Sequence, residues 1–173
     1  MGLLSTSLFA EQFEVDGITY QTTSSSTVAV YNSNYSGVIV IPDIVEYFGT
    51  TYSVTSIGDK AFYGCSGLTS VTIPNSITSI GNGAFDGCSG LTSVHISDLE
   101  TWCNITFDNY SANPLNYAHH LYLGDEEIKN LVIPNSVTSI GNFTFAYCSG
   151  LTSVSTIKGS SVEIHFNITF DIS

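Results

Sequence analysis

A chain of 173 residues carrying 15 carboxylates against 3 lysines, with no arginine and a net charge of −12, has room for one domain or a handful of stacked repeats with end caps. That charge repels phosphate backbones and anionic lipid surfaces, which excludes nucleic-acid and membrane-surface binding, and the missing arginines remove the bidentate clamp for phosphate or carboxylate ligands. With 43% apolar and 10% charged residues the chain can bury a core under a Ser/Thr/Asn-rich surface, and no apolar stretch approaches the ~20 residues of a bilayer-spanning helix.

From the N-terminus, residues 3–10 (LLSTSLFA) are apolar and small. Residues 1–10 suit either the remnant of a secretory signal cleaved after Ala10 or an ordinary N-terminus, and the basic n-region that would favour the former is lacking. FEVDGITY at 13–20 predicts a hairpin on Asp16-Gly17, because Asp-Gly supplies the positive φ values of a tight turn. Residues 11–35 are read as an N-terminal β cap. Strand-like TVAVY (27–31) and VIVIP (38–42) follow, and Ile39 and Ile41 fall in register with Val71 and Ile73 as a first coil. EYFGTTYSV (46–54) predicts a second hairpin on its return path.

Self-similarity governs what comes next. Residues 57–73 read IGDKAFYGCSGLTSVTI and residues 80–96 read IGNGAFDGCSGLTSVHI, an offset of 80 − 57 = 23 residues. A third copy, IGNFTFAYCSGLTSVST, begins at Ile140. In LTSVTI (68–73), Leu68, Val71 and Ile73 are apolar while Ser70 and Thr72 alternate with them, which predicts a strand with one buried face. Pro74-Asn75 stops it, since Pro lacks the ladder donor and Asn suits a turn. A second short extended run ends at Ile80, and Ala84, Phe85 and Cys88 then form an inward wedge on a short helical or 3₁₀ turn. One such coil cannot bury its own apolar face, so stability requires neighbours stacked about 4.8 Å apart in a parallel sheet. Phe62, Phe85 and Phe145 are expected to form one continuous internal column.

Between the second and third copies the offset is 140 − 80 = 60 residues, two periods plus 14, so the solenoid of residues 36–156 contains an expanded coil at about 98–127. SDLETWCNI (97–105) has a Ser or Asp N-cap and a Glu in its first turn, which predicts a short helix. HLYLGDEEIKNLVIP (120–134) predicts two strands joined by a Gly124–Glu127 turn. Trp102, Phe107, Tyr110, Pro114 and Leu115 are the packing that attaches the expansion. In the last segment, 157–173, Val162, Ile164, Phe166, Ile168, Phe170 and Ile172 alternate as one amphipathic strand, either a C-terminal cap or the cut end of a longer array.

These motifs resemble the BspA-like leucine-rich repeats of bacterial surface proteins, whose pattern LxxLxIPxxLxxIxxxAFxxCxx is matched over about residues 36–156. The resemblance implies a β-rich α/β fold: a right-handed leucine-rich-repeat solenoid with a parallel β-sheet face, short helical or 3₁₀ turns and β-hairpin capping. It also implies a secreted or cell-surface location, and adhesion or recognition rather than catalysis.

The chemistry-bearing residues point the same way. Cys65, Cys88 and Cys148 recur at one inward position, where a free thiol acts as a small hydrophobe. Coil spacing admits a Cys65–Cys88 disulfide, but parallel inward vectors disfavour it, so free thiols are expected. The sequence lacks CxxC pairs, the alternating ligand spacing of a calcium loop at Asp125-Glu126-Glu127, a G-x-S-x-G elbow and a phosphate-cradling glycine loop, so no cofactor, metal ligand or catalytic residue is assigned. No acidic residue is placed in sequence to orient His95 or His120. The candidate ligand face is the outward row Ser70, Thr72, Ser93, His95, His120, Tyr122, Asn130 and Val132. It is extended and mostly uncharged, as suits an extracellular protein or glycan bound by a monomeric scaffold. Two other readings stay open: a structural spacer within a larger surface protein, and an enzyme with a site beside residues 98–127.

Overall fold

A computed structural model describes residues 10–32 and 34–156. The expectations for the signal-like segment up to residue 9 and for the alternating tail at 157–173 lie outside the described residues. Strands β1 (Gln12–Val15) and β2 (Ile18–Thr22) form the first hairpin, and Asp16 and Gly17 at its tip have φ of 51° and 77°. Positive φ at both central residues matches the turn to the right-handed twist of the strands. After β3 (Thr27–Val30) and β4 (Gly37–Val40), β5 (Ile44–Tyr47) and β6 (Thr50–Ile57) make the second hairpin. The repeats supply β7 (Leu68–Thr72), β8 (Ser79–Ile80) and β9 (Ser93–Ile96). The expansion supplies helix α1 (Leu99–Cys103), β10 (Thr106–Phe107), a 3₁₀ turn at Tyr110–Ala112, helix α2 (Leu115–Ala118), β11 (Leu121–Leu123) and β12 (Glu126–Glu127). Last come β13 (Asn130–Ile133) and β14 (Ser153–Thr156).

These elements wind as a parallel β-solenoid of about 5 turns. One side is a front sheet in the order β12-β11-β9-β7-β4, and the other a rear sheet along β1-β2-β3-β6-β8-β10. Stacked register is direct: Ile39, Val71, Val94 and Leu121 pair in turn on the front, and Val30, Ile57, Ile80 and Phe107 on the rear. All but Ile39 are buried, and together they line one continuous core between the sheets. The AFxxC wedges are single turns with i→i+3 bonds, such as Ala84 N–H to the Gly81 carbonyl and Cys88 N–H to the Phe85 carbonyl. Tight spacing between coils also dictates small residues where they touch. A methyl group at Gly90 would run into the Ser66 carbonyl oxygen.

The phenylalanine column is shorter than expected. Phe62 and Phe85 stack with centroids 4.8 Å apart and planes 8° apart, and Tyr35 sits 4.8 Å from Phe62. Phe145 is buried but does not continue the pile. The Phe62 N–H donates to the Ala84 carbonyl and the Phe85 N–H to the Ser111 carbonyl, which puts Ala112 of the expansion in the slot above Phe85. The third copy is instead latched to the expansion by polar contacts. Trp102 Nε1 donates to the Thr144 carbonyl at 3.1 Å. The fully buried Asn113 donates to the Phe143 and Thr144 carbonyls and accepts from the Leu115 N–H at 2.9 Å.

Candidate functional site

Alternation along β7, β9 and β11 turns one residue in two out of the front sheet. Two outward columns result: Val38, Ser70 and Ser93, and beside them Val40, Thr72, His95 and Tyr122. Ser93 donates to the Ser70 hydroxyl at 2.8 Å, and Thr92 Oγ1 donates to the Thr69 carbonyl at 3.1 Å, so the LTS motif ties each coil to the one before through its hydroxyls. His95 and Tyr122 stack with centroids 4.7 Å apart and planes 15° apart, and His95 Nδ1 lies 2.9 Å from the Gly124 carbonyl. Ser70, Thr72, Ser93, His95 and Tyr122 thus lie together on the front sheet, half-buried by their neighbours. Val38 and Val40, 66% and 61% exposed, extend the face with apolar surface that the candidate row had left out, although the alternation of VIVIP already turned them outward.

The far end of the row does not join. Gly124, with φ of 61°, opens a two-residue turn that folds Glu126–Glu127 back as β12 against β11, pairing Leu123 with Glu126 and Tyr122 with Glu127. A glycine with positive φ at the first central position suits a type II′ hairpin. The expected four-residue turn from Gly124 to Glu127 is therefore a two-residue turn followed by a strand. That strand occupies the edge of β11, so β13 pairs with β14 in a separate two-stranded sheet, and Asn130 and Val132 lie outside the front sheet. Asn130 there accepts from the Thr152 and Ser153 hydroxyls.

The same hairpin supplies the imidazole partner that linear spacing had hidden. Glu127 Oε1 lies 2.6 Å from His120 Nδ1, and Glu127 Oε2 lies 3.3 Å from Lys129 Nζ. The His120 hydrogen bond holds the Glu127 carboxyl below its ordinary range, with Lys129 adding to the effect. His119, held in the left-handed region at the end of α2, places Nδ1 3.0 Å from the Tyr147 carbonyl, joining the expansion to the third copy. Of the acid run 125–127, Asp125 and Glu126 stay exposed at the tip of the hairpin, and Glu127 is half-buried and paired.

The four cysteines are buried, and none of them forms a disulfide. Burial pushes the Cys88, Cys103 and Cys148 thiols up to about 12 and raises Cys65 as well. A thiol so protonated is a weak nucleophile. Among the described residues no group of three or more His, Cys, Asp or Glu side chains could hold a metal ion, and no helix is long and apolar enough to cross a membrane.

Comparison with known proteins agrees with this architecture. The family model for the BspA type leucine-rich repeat region, in 6 copies, matches residues 44–120 and 116–170. A leucine-rich cell surface protein from Faecalibacterium prausnitzii is similar in structure at 24% identity and a TM-score of 0.55, over 85% of this chain and 43% of that one. A leucine-rich repeat protein from Bacteroides capillosus is similar at 24% identity and a TM-score of 0.51, over 84% of this chain and 98% of that one. One from Bacteroides ovatus shares 31% identity over 83% of this chain and 40% of that one, with a TM-score of 0.49. The chain spans less than half the length of the Faecalibacterium and Bacteroides ovatus proteins. No curated protein matches the sequence. With the repeat pattern, the stacked register and the family match in agreement, the chain belongs to the BspA-type leucine-rich repeat family.

Proposed function

We propose that the chain is a non-catalytic, monomeric scaffold of the cell surface or secreted space, which binds an extracellular protein or glycan through the front face of its parallel sheet. The observation that carries this reading is the contiguous patch of Ser70, Thr72, Ser93, His95 and Tyr122, in which a hydroxyl ladder lies beside a stacked ring pair. Small hydroxyls adapt their hydrogen bonds to a partner, the rings add larger contacts, and modest affinity of this kind gains avidity when many copies decorate a surface. A surface location is supported by the family and by the cell-surface protein among the similar structures. The net charge of −12 disfavours nucleic acid and anionic lipid as partners.

The test is binding to a panel of extracellular matrix proteins and glycans by the native chain and by a His95→Ala/Tyr122→Ala variant. A partner bound at least tenfold more weakly by the variant supports the reading. Unchanged affinity moves the site off this face, and a panel with no binder favours the spacer reading.

A further inference from the structure

We infer that the gap between β12 and β13 is a docking groove for one extended, basic peptide segment of a partner protein, taken up by strand addition. The inference rests on the reading of the chain as a binding scaffold, but not on the patch around His95 and Tyr122. The groove has a volume of ≈ 510 Å³, with apolar walls from Leu99, Leu123, Ile128 and Val132 and carboxylates from Glu126 and Glu127.

Main-chain geometry identifies the occupant as a strand. Along a ladder, the N–H and C=O groups of successive residues point to opposite edges. The Lys129 carbonyl accepts from the Thr152 N–H at 2.7 Å, on the β14 side, so the main-chain groups of Asn130 and Val132 turn toward the groove. On the other wall the Ile128 N–H donates to the Leu121 carbonyl at 2.8 Å, which turns those of Glu127 inward. Among the described residues β12 pairs only with β11 and β13 only with β14. Both walls therefore present main-chain donors and acceptors, a need that an extended segment meets with its own backbone. Leu123 and Val132, 42% and 50% exposed, offer apolar contact to alternate side chains of that segment.

Charge selects what the segment carries. Asp125, Glu126 and Glu127 on the hairpin, with Asp98 and Glu100 flanking the groove residue Leu99, outnumber the single cation Lys129, which is already paired with Glu127. Lysine or arginine at the ends of an otherwise uncharged, alternating segment is the complement of this rim.

The experiment measures fluorescence anisotropy of a labelled peptide, alternating valine and threonine between lysine pairs, against the full chain. Saturable binding is expected, weakened at least tenfold when the lysines become glutamates or when alternate peptide nitrogens are methylated. Val132→Pro deletes the inward N–H and leaves the β14 ladder intact, and it should weaken binding at least tenfold. Val132→Ala keeps the N–H and should stay within about threefold of the native chain. Should Val132→Pro fail to fold by circular dichroism, the methylated peptide decides in its place. His95→Ala/Tyr122→Ala leaves peptide binding unchanged, so failure of the front face and failure of the groove are separable. No saturable binding, equal binding of the methylated or glutamate-flanked peptide, or loss of binding in the His95→Ala/Tyr122→Ala variant overturns the proposal.

Discussion

The Phe85 ring is fully buried and stacked on Phe62, with the Ala112 level closing it from the other side. Phe85→Ala is expected to cost about 3–5 kcal/mol, read as a lowered urea midpoint, because the surrounding coils cannot collapse into the void. The buried thiols make a second residue-level prediction. Cys88, Cys103 and Cys148 are held near 12 in the folded chain against an ordinary value of 9.0. A raised folded-state value means that above pH 9 the unfolded chain releases thiol protons that the native chain keeps. Stability is therefore intact below pH 9 and falls as pH rises toward 12, by about 1.4 kcal/mol per thiol per pH unit. Urea midpoints at pH 8 and 10.5 measure the fall, and Cys103→Ala should reduce it by about a third, one thiol's share of three; equal midpoints would refute the assignment. Residue-level legibility was uneven. The inward recurrence of the cysteines was readable from one repeat laid on the next, whereas the Glu127 partner of His120 depends on a hairpin that brings together residues seven apart.

At the scale of elements, the interval between coils leaves no space for added atoms at Gly90. Gly90→Ala should destabilise by about 1–3 kcal/mol, since the carbonyl it meets belongs to the backbone of the preceding coil and cannot swing aside. The latch on the third copy is equally specific. Asn113→Ala leaves the Phe143 carbonyl and the Leu115 N–H without their buried partner, at a cost of about 1–3 kcal/mol per orphaned group, and the loss should be visible as faster hydrogen exchange at residues 140–151. Hairpins, the short helix capped by Asp98 and the repeat strands were legible because each rests on a local signal: Asp16-Gly17, an N-cap whose carboxylate accepts from the Thr101 N–H at 2.7 Å, and period-two alternation. The exit of β13 from the front sheet was not. Its sequence NLVIP keeps the inward apolar positions and the closing Ile-Pro of the earlier SVTIP, and only the competing pairing of Glu126–Glu127 with β11 decides which sheet it joins.

At the scale of the whole molecule, no coil closes its own core, so folding should be cooperative across the repeats. Trp102, the one tryptophan, is buried in the expansion and bonded to the third copy. Its fluorescence and the far-ultraviolet signal of the strands should therefore report the same urea midpoint, and a fragment ending at Ile96 should lose the sharp transition. Two separate midpoints would show that the expansion folds as its own unit. The fixed offset of 23 residues, seen in the Ser70–Ser93 and Thr69–Thr92 bonds, has a further consequence. It makes the chain a ruler: a duplicate of residues 74–96 spliced in after Ile96 would lengthen the molecule by one strand spacing, about 4.8 Å, and leave both ends untouched. How far such a protein reaches is thereby set by counting units, independently of what its ends carry.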